Sequence, residues 1–301
     1  MTTRMLISLG LTLLLGERVL AAQSSPALTV SHQGRRLEPG EAVVLAIAST
    51  TPLKQVRATA FGRDIPVVQG DAPGRWQGLF GIDVETKAGR YEVVVDGLTA
   101  DGAALHARHP LVVGARKFPI RQLSVDDAFV NPPARARARI EAESKAVEAV
   151  LARVSPAPWW SGPLVFPVPG EATSGFGRRS VLNGEVRSIH AGVDFRAAEG
   201  TPVKTPARGR VALAADHYFA GKLVIVDHGL GLFSFLAHLS SISVAEGQAV
   251  ERGEVVGLSG ATGRVTGPHL HWSVRLPGAR VDPLSLMAVF EVESGARAIV
   301  R

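Results

Sequence analysis

Five residues of this chain have the types and spacing to do chemistry: His190 and Asp194 in Ile189-His190-Ala191-Gly192-Val193-Asp194-Phe195, His238 in Ala237-His238-Leu239-Ser240, and the pair in His269-Leu270-His271-Trp272. Side chains of a strand repeat every two residues, so His269 and His271 project from one face, and an even spacing of four lets His190 and Asp194 converge. Two imidazoles and one carboxylate are a ligand set that zinc uses in hydrolases, with the fourth position left to water or substrate. Three of these four residues suffice for the ion. The fourth, together with His238, is then free for acid/base or electrostatic work beside it. His32, His106, His109 and His217 carry no partner pattern, and His228 in Val226-Asp227-His228-Gly229 reads as a strand running into a turn.

The segment from Ser174 to Asp282 resembles the lysostaphin-like, LytM-type zinc metallopeptidases, which hydrolyse peptide bonds in bacterial peptidoglycan. The resemblance rests on Gly175-Phe176-Gly177-Arg178, Gly192-Val193-Asp194-Phe195, Gly200-Thr201-Pro202-Val203, Ala237-His238-Leu239-Ser240 and the long run Thr262-Gly263-Arg264-Val265-Thr266-Gly267-Pro268-His269-Leu270-His271. It implies Zn2+ as cofactor, His190, Asp194 and His271 as its ligands, His238 and His269 as catalytic histidines, and peptidoglycan stem peptides as substrate. Which histidine is the general base stays open; His269 is favoured because it shares a strand face with His271. The chain departs from the family in having Leu236 where a tyrosine is common two residues before the histidine of the H-L-S segment, and Asn183 to Ser188 match no family pattern closely. A non-catalytic cell-wall-binding protein that activates a partner amidase is the alternative, disfavoured because all five residues are intact. A β-rich adhesion or assembly module is a further alternative, and stoichiometric zinc would separate the enzyme from both.

Other chemistries lack their residues. Gly257-Leu258-Ser259-Gly260-Ala261 misses the final glycine of a nucleophile elbow, and there is no G-x-x-x-x-G-K phosphate loop. With no cysteine in the chain, thiol catalysis, disulfides and thiolate metal sites are excluded. Glu199 to Val203 leading to Gly209-Arg210-Val211 is echoed by Glu246 to Val250 leading to Gly253-Glu254-Val255. Both read as strand, turn, strand, and predict a domain of repeated hairpins. Biotinyl carriers share such hairpins but present a lysine at a tip, a context that Lys204 and Lys222 lack.

These motifs need a scaffold, and the rest of the chain supplies one. At 301 residues and 46% hydrophobic, the chain is long enough for two packed domains. Arg4, the apolar run Met5 to Leu15 and Val19-Leu20-Ala21 predict a signal peptide over residues 1–21 and an exported, periplasmic or cell-envelope location with no lasting membrane span. The net charge of +6 falls to about +5 without Arg4, Glu17 and Arg18, which suits attraction to anionic envelope polymers. Nucleic acid is not expected, because no basic stripe interleaves with aromatics.

Residues 22–115, with runs Ala42 to Ile47, Val56 to Phe61, Trp76 to Val84 and Tyr91 to Val95 between turns, predict an immunoglobulin-like β-sandwich. A connector over 116–170 follows, with Asn131-Pro132-Pro133 ending extended structure, a helix over Ala134 to Val154, and a stretch holding five prolines and Trp159-Trp160. Two rings in a linker need an apolar surface to cover, so this stretch is expected to dock on the catalytic domain, where it could restrict access to the metal; Asn131 could approach as a weak oxygen ligand. Residues 171–301 form the peptidase domain. The predicted fold is mainly β, with a C-terminal half of the duplicated hybrid motif type.

Overall fold

The structure, a computed structural model, describes residues 27–123, 133–182 and 185–299. The predicted signal peptide, Asn131 and part of the loop before His190 lie outside the described residues. Eight strands form the first half: β1 (Leu28–Gly34), β2 (Ala42–Ser49), β3 (Leu53–Ala60), β4 (Arg63–Ile65), β5 (Val67–Gln69), β6 (Arg75–Gly81), β7 (Gly89–Thr99) and β8 (Ala104–Val113). They pair as two antiparallel sheets, β1-β2-β6-β5 and β4-β3-β7-β8. Lettered along the chain with β4 as C′, these are sheets ABED and C′CFG, an immunoglobulin-like sandwich. Alternate residues of the facing strands, Val43, Leu45 and Ile47 of β2 and Val93 and Val95 of β7, fill its core. The opposite face of β2 is not solvated. Ala42 and Val44 pack into the core of the C-terminal half, which explains why β2 reads as a continuous apolar run rather than an alternating one.

After β9 (Ile120–Leu123), helix α1 (Ala134–Leu151) begins on Pro133 and ends three residues before the predicted Val154. Its last turn closes when Ala152 N–H donates to the Glu148 carbonyl, and the chain turns so that the Ser155 hydroxyl reaches Asp227 at 2.6 Å. Val147, Val150 and Leu151 cover Leu223, Ile225, Phe233 and Phe235 on one sheet face. The predicted docking of the tryptophans is observed. Trp159 N–H donates to the His228 carbonyl at 2.9 Å, and the Trp160 ring meets Phe290 edge-on at 5.8 Å.

The C-terminal strands are β10 (Ala172–Ser174), β11 (Arg179–Leu182), β12 (Glu185–Ile189), β13 (Gly192–Phe195), β14 (Pro202–Lys204), β15 (Gly209–His217), β16 (Gly221–Asp227), β17 (Phe233–Ile242), β18 (Ala249–Val250), β19 (Val255–Ser259), β20 (Leu270–Leu276) and β21 (Ala279–Val281), followed by helix α2 (Pro283–Ile299). Their main sheet runs β10-β13-β20-β17-β16-β15-β18. The internal echo does not make two hairpins. β14 pairs with β19 and β15 with β18, so each strand of one copy finds its partner in the other copy. Turn glycines had suggested local closure, but the backbone donors go across: Thr205 N–H donates to the Glu254 carbonyl and Gly253 N–H to the Thr205 carbonyl, both at 2.9 Å.

The two halves are joined by buried charge. Glu41 and Asp282, each almost fully buried, share Arg35 and Arg116, and Arg280 grips Asp83 with a 2.7 Å ion pair. No helix among the described residues is long and apolar enough to cross a membrane.

Candidate metal centre

Three neighbouring strands bring the five residues together. Asp194 of β13 lies directly opposite His271 of β20, which on its other side faces Ala237 of β17, the residue before His238. His269 bridges Gly260 just before β20, on the same face as His271, as the spacing predicts. His190 converges by a different route from the one expected. It sits in the turn between β12 and β13 rather than on a strand, held by its N–H to the Arg178 carbonyl and its carbonyl to Gly177 N–H. His238 is aimed by a β-bulge: the β16–β17 register shifts there and His238 takes φ +65°. Few non-glycine residues adopt that conformation, and bulges redirect a side chain in this way. The His238 N–H compensates by donating to the Ala220 carbonyl at 2.9 Å. The His238 bulge and the His190 turn were missed in the sequence, because both depend on partners from other segments.

His190 Nε2, Asp194 Oδ1 and His271 Nδ1 lie 2.8–3.1 Å from one another, the described group of ligand atoms able to hold a metal ion. His190 Nδ1 lies 2.9 Å from the Gly175 carbonyl, which can only accept, so Nδ1 carries the proton and Nε2 of the neutral ring presents a lone pair. That lone pair faces a carboxylate oxygen. A cation among the three atoms relieves that repulsion, and two imidazoles and one carboxylate with ligand atoms this close together are a donor set that fits zinc. The backbone carbonyl on Nδ1 is also the outer partner that orients metal-binding histidines. Burial alone would raise Asp194, but the His190 and His271 imidazoles against it hold its carboxyl well below the ordinary range. Burial likewise depresses His271.

His238 and His269 repeat the tautomer. Their Nδ1 atoms donate to the carbonyls of Thr262 at 3.0 Å and Gly267 at 2.8 Å, leaving Nε2 of each neutral ring as a base. The rings are 4.9 Å apart, and His269 Nε2 lies 3.8 Å from Asp194. Burial, with His271 nearby, lowers His238 to about 4, so it is neutral near pH 7. Leu236, the departure from the family pattern, is fully buried in the core with Trp272.

Glycine and aromatic packing hold this geometry. A Cβ on Gly192 would lie 2.7 Å from His271 Cε1 and 2.5 Å from the Trp272 carbonyl, so only glycine lets the ring lie flat on β13. Phe176, between Gly175, whose carbonyl accepts from His190, and Gly177, is buried against Gly40 of the sandwich and meets Phe118 at 6.2 Å. The sandwich thus steadies the loop that fixes the His190 tautomer. The tryptophans do not cover the site. Trp159 docks on the turn after β16 and Trp160 on Phe290 of α2, whereas His238 lies toward the other end of the β16–β17 hairpin. His228, as expected, is structural: fully buried, it bonds the Arg208 carbonyl and the Ser234 hydroxyl, both at 3.0 Å.

Comparison with known proteins agrees with this geometry. Peptidase family M23 matches residues 188–283. The chain is 45% identical over 95 residues to peptidoglycan DD-endopeptidase ShyA of Vibrio cholerae, covering 32% of this chain and 22% of that protein. It is 43% identical over 98 residues to the DD-carboxypeptidase/endopeptidase Mpg of Neisseria meningitidis, covering 33% and 23%. It therefore spans less than a quarter of the length of either. The crystal structure of a Pseudomonas aeruginosa protein named as a peptidase M23 superposes with a TM-score of 0.64 at 35% identity, over 84% of this chain and 95% of that one. A match of that breadth carries the sandwich as well as the site, and the chain belongs to peptidase family M23.

Proposed function

We propose that this protein is a zinc-dependent endopeptidase that cuts peptide cross-links of bacterial peptidoglycan in the cell envelope. The observation that carries the reading is the trio of converging ligand atoms on His190, Asp194 and His271, flanked by two further histidines whose Nδ1 atoms are tied to backbone. The names of its relatives, a DD-endopeptidase and a DD-carboxypeptidase/endopeptidase, support the direct D,D cross-link as substrate. His190, Asp194 and His271 would hold the ion. Zinc supplies Lewis acidity toward the scissile carbonyl and acidifies a water to a pKa of about 7. His238 and His269, both beginning as Nε2 acceptors, divide the proton work. One takes the proton of the attacking water, and as an imidazolium it hydrogen-bonds the developing oxyanion or protonates the leaving amine. The chain is read as exported, with residues 1–21 removed, 22–115 as the sandwich domain, 116–170 as connector and 171–301 as the peptidase.

The test uses the mature chain. It should carry about one zinc, release stem-peptide products from purified peptidoglycan by mass spectrometry, and lose both properties in His271→Ala. Undiminished zinc in that variant overturns the ligand assignment, and intact peptidoglycan with zinc bound overturns the activity.

A further inference from the structure

We infer that Arg264 binds a carboxylate on the residue whose amine leaves, and so directs the enzyme to direct D,D cross-links rather than to bridges of glycine. The inference rests on the peptidoglycan endopeptidase reading above and adds the substrate feature that is recognised.

Arg264 is fixed at the rim of the site by backbone. Its N–H donates to the Phe219 carbonyl at 2.9 Å, and Gly263 packs closely on Gly221, both glycines having positive φ. Two residues earlier, Thr262 accepts the Nδ1 hydrogen bond of His238, and its hydroxyl accepts from Lys222 N–H and donates to the Leu239 carbonyl. The Arg264 loop and the β15–β16 turn are therefore stitched together around His238, and the loop continues directly into His269.

The side chain is placed but not satisfied. The guanidinium lies 4.4 Å from the centroid of the Phe219 ring, whose own edge meets Tyr218 at 5.0 Å. Among the described residues no carboxylate pairs with Arg264. Arg35, Arg116, Arg139 and Arg280 are each paired with one. Burial partly desolvates Arg264 and depresses its proton affinity, yet it stays cationic. An exposed guanidinium stacked on an aromatic ring, with no carboxylate on its fork of donors, is suited to bidentate recognition of a carboxylate. Asp194, the carboxylate at the centre, already faces His190 and His271.

Substrate chemistry supplies the partner. In a direct D,D cross-link, the carbon bearing the scissile nitrogen also bears a free carboxylate. The same is true of a terminal D-alanine removed by a carboxypeptidase. An interior glycine of a bridge has no such group. Directed to the leaving-amine side by the loop that runs into His269, one arginine would serve both D,D reactions and select against the bridge.

The experiment compares zinc-loaded wild type, Arg264→Gln and Arg264→Lys on a directly cross-linked muropeptide dimer with a free carboxylate at that carbon and on the same dimer as its carboxamide. Losing a charge-assisted pair should lower wild-type kcat/KM about 10- to 100-fold on the carboxamide. Arg264→Gln should lose a similar factor on the carboxylate dimer and almost none on the carboxamide, with zinc content unchanged; Arg264→Lys should fall between. Equal rates of wild type on the two dimers overturn the role of Arg264 and leave the peptidase reading intact. If wild type with zinc bound cuts neither dimer, the peptidase reading fails, and Arg264 is then judged by calorimetric binding of the uncleaved dimers to wild type and Arg264→Gln. Tighter carboxylate binding that Arg264→Gln abolishes supports recognition; equal affinities refute it.

Discussion

Replacing Gly192 by alanine should damage the metal site without touching a ligand. The new Cβ would stand 2.7 Å from His271 Cε1, 2.8 Å from Nε2 and 2.5 Å from the Trp272 carbonyl, where ordinary contact begins at 3.4 Å. The imidazole must give way by about 0.7 Å to restore ordinary contact, and the Trp272 carbonyl, on a strand paired on both sides, forces β13 and β20 apart as well. Metal–ligand distances tolerate about 0.2 Å, and disturbing the support of a ligand typically costs 10- to 100-fold in affinity, about 1.4–2.7 kcal/mol. Overpacking should cost the apo protein a further 1–3 kcal/mol or so. Competition against a zinc chelator reads the first effect, and urea denaturation of the metal-free chain reads the second. Gly175→Ala is the control, because its Cβ would meet open space although its carbonyl orients His190. Zinc affinity in Gly192→Ala within twofold of wild type, or an equal loss in Gly175→Ala, refutes the steric argument.

His238→Ala and His269→Ala should each keep zinc while lowering turnover by about 100-fold or more; metal loss with the fold intact would show that ligand and catalyst are exchanged. Phe176→Ala should destabilise by about 3–5 kcal/mol and also weaken zinc by about tenfold, since it frees the loop that orients His190. Phe80→Ala, equally buried at 5% but in the sandwich core, should destabilise without the zinc effect, and identical zinc affinities in the two variants count against the link. His228, lowered by burial from 6.5 to about 4, gives a pH signature. Between those values the unfolded chain binds a proton that the folded chain refuses, so stability present above pH 6.5 falls as pH drops toward 4, by about 3 kcal/mol. In metal-free protein, His228→Gln should be less stable at neutral pH and have a flatter profile across that window, and an unchanged slope contradicts it.

The candidate residues were legible in the sequence because metal chemistry constrains residue type and the two-residue strand period puts His269 and His271 on one face, while the choice of His190, Asp194 and His271 as the ligand set came from the family resemblance. His190 and His238 were identifiable as residues but not as geometry. One is placed by a turn against Gly177 and Arg178, the other by a bulge whose acceptors, Ala220 and Thr262, come from two other segments. Strand β8 escaped notice because Pro110 interrupts its pattern, which an edge strand tolerates. Strands β4 and β5, at three residues each, are too short to leave a period. The crossed pairing of the two echoed segments was read as local hairpins because a glycine turn signals closure without saying which strand closes on it.

The sandwich carries none of the five candidate residues, yet its packing makes it part of the support of the metal site. β2 is buried on both faces, one of them by the peptidase half, and Ala42 N–H and the Glu41 carboxylate both bond the Ser285 hydroxyl. Arg35 and Asp282, separated by 247 positions, meet at 2.9 Å, a pairing with no local sequence signal. Breaking such a buried pair by removing one partner leaves an uncompensated charge, typically a loss of about 3–5 kcal/mol. The same contact region includes Gly40 against Phe176, and Phe176 neighbours the carbonyl that sets the His190 tautomer. Hinge motion between the halves would have to disrupt the charge cluster and the His190 support together. The Arg264 loop and the β15–β16 turn bond to each other and take no part in that charge cluster, so changes there would leave the two halves joined.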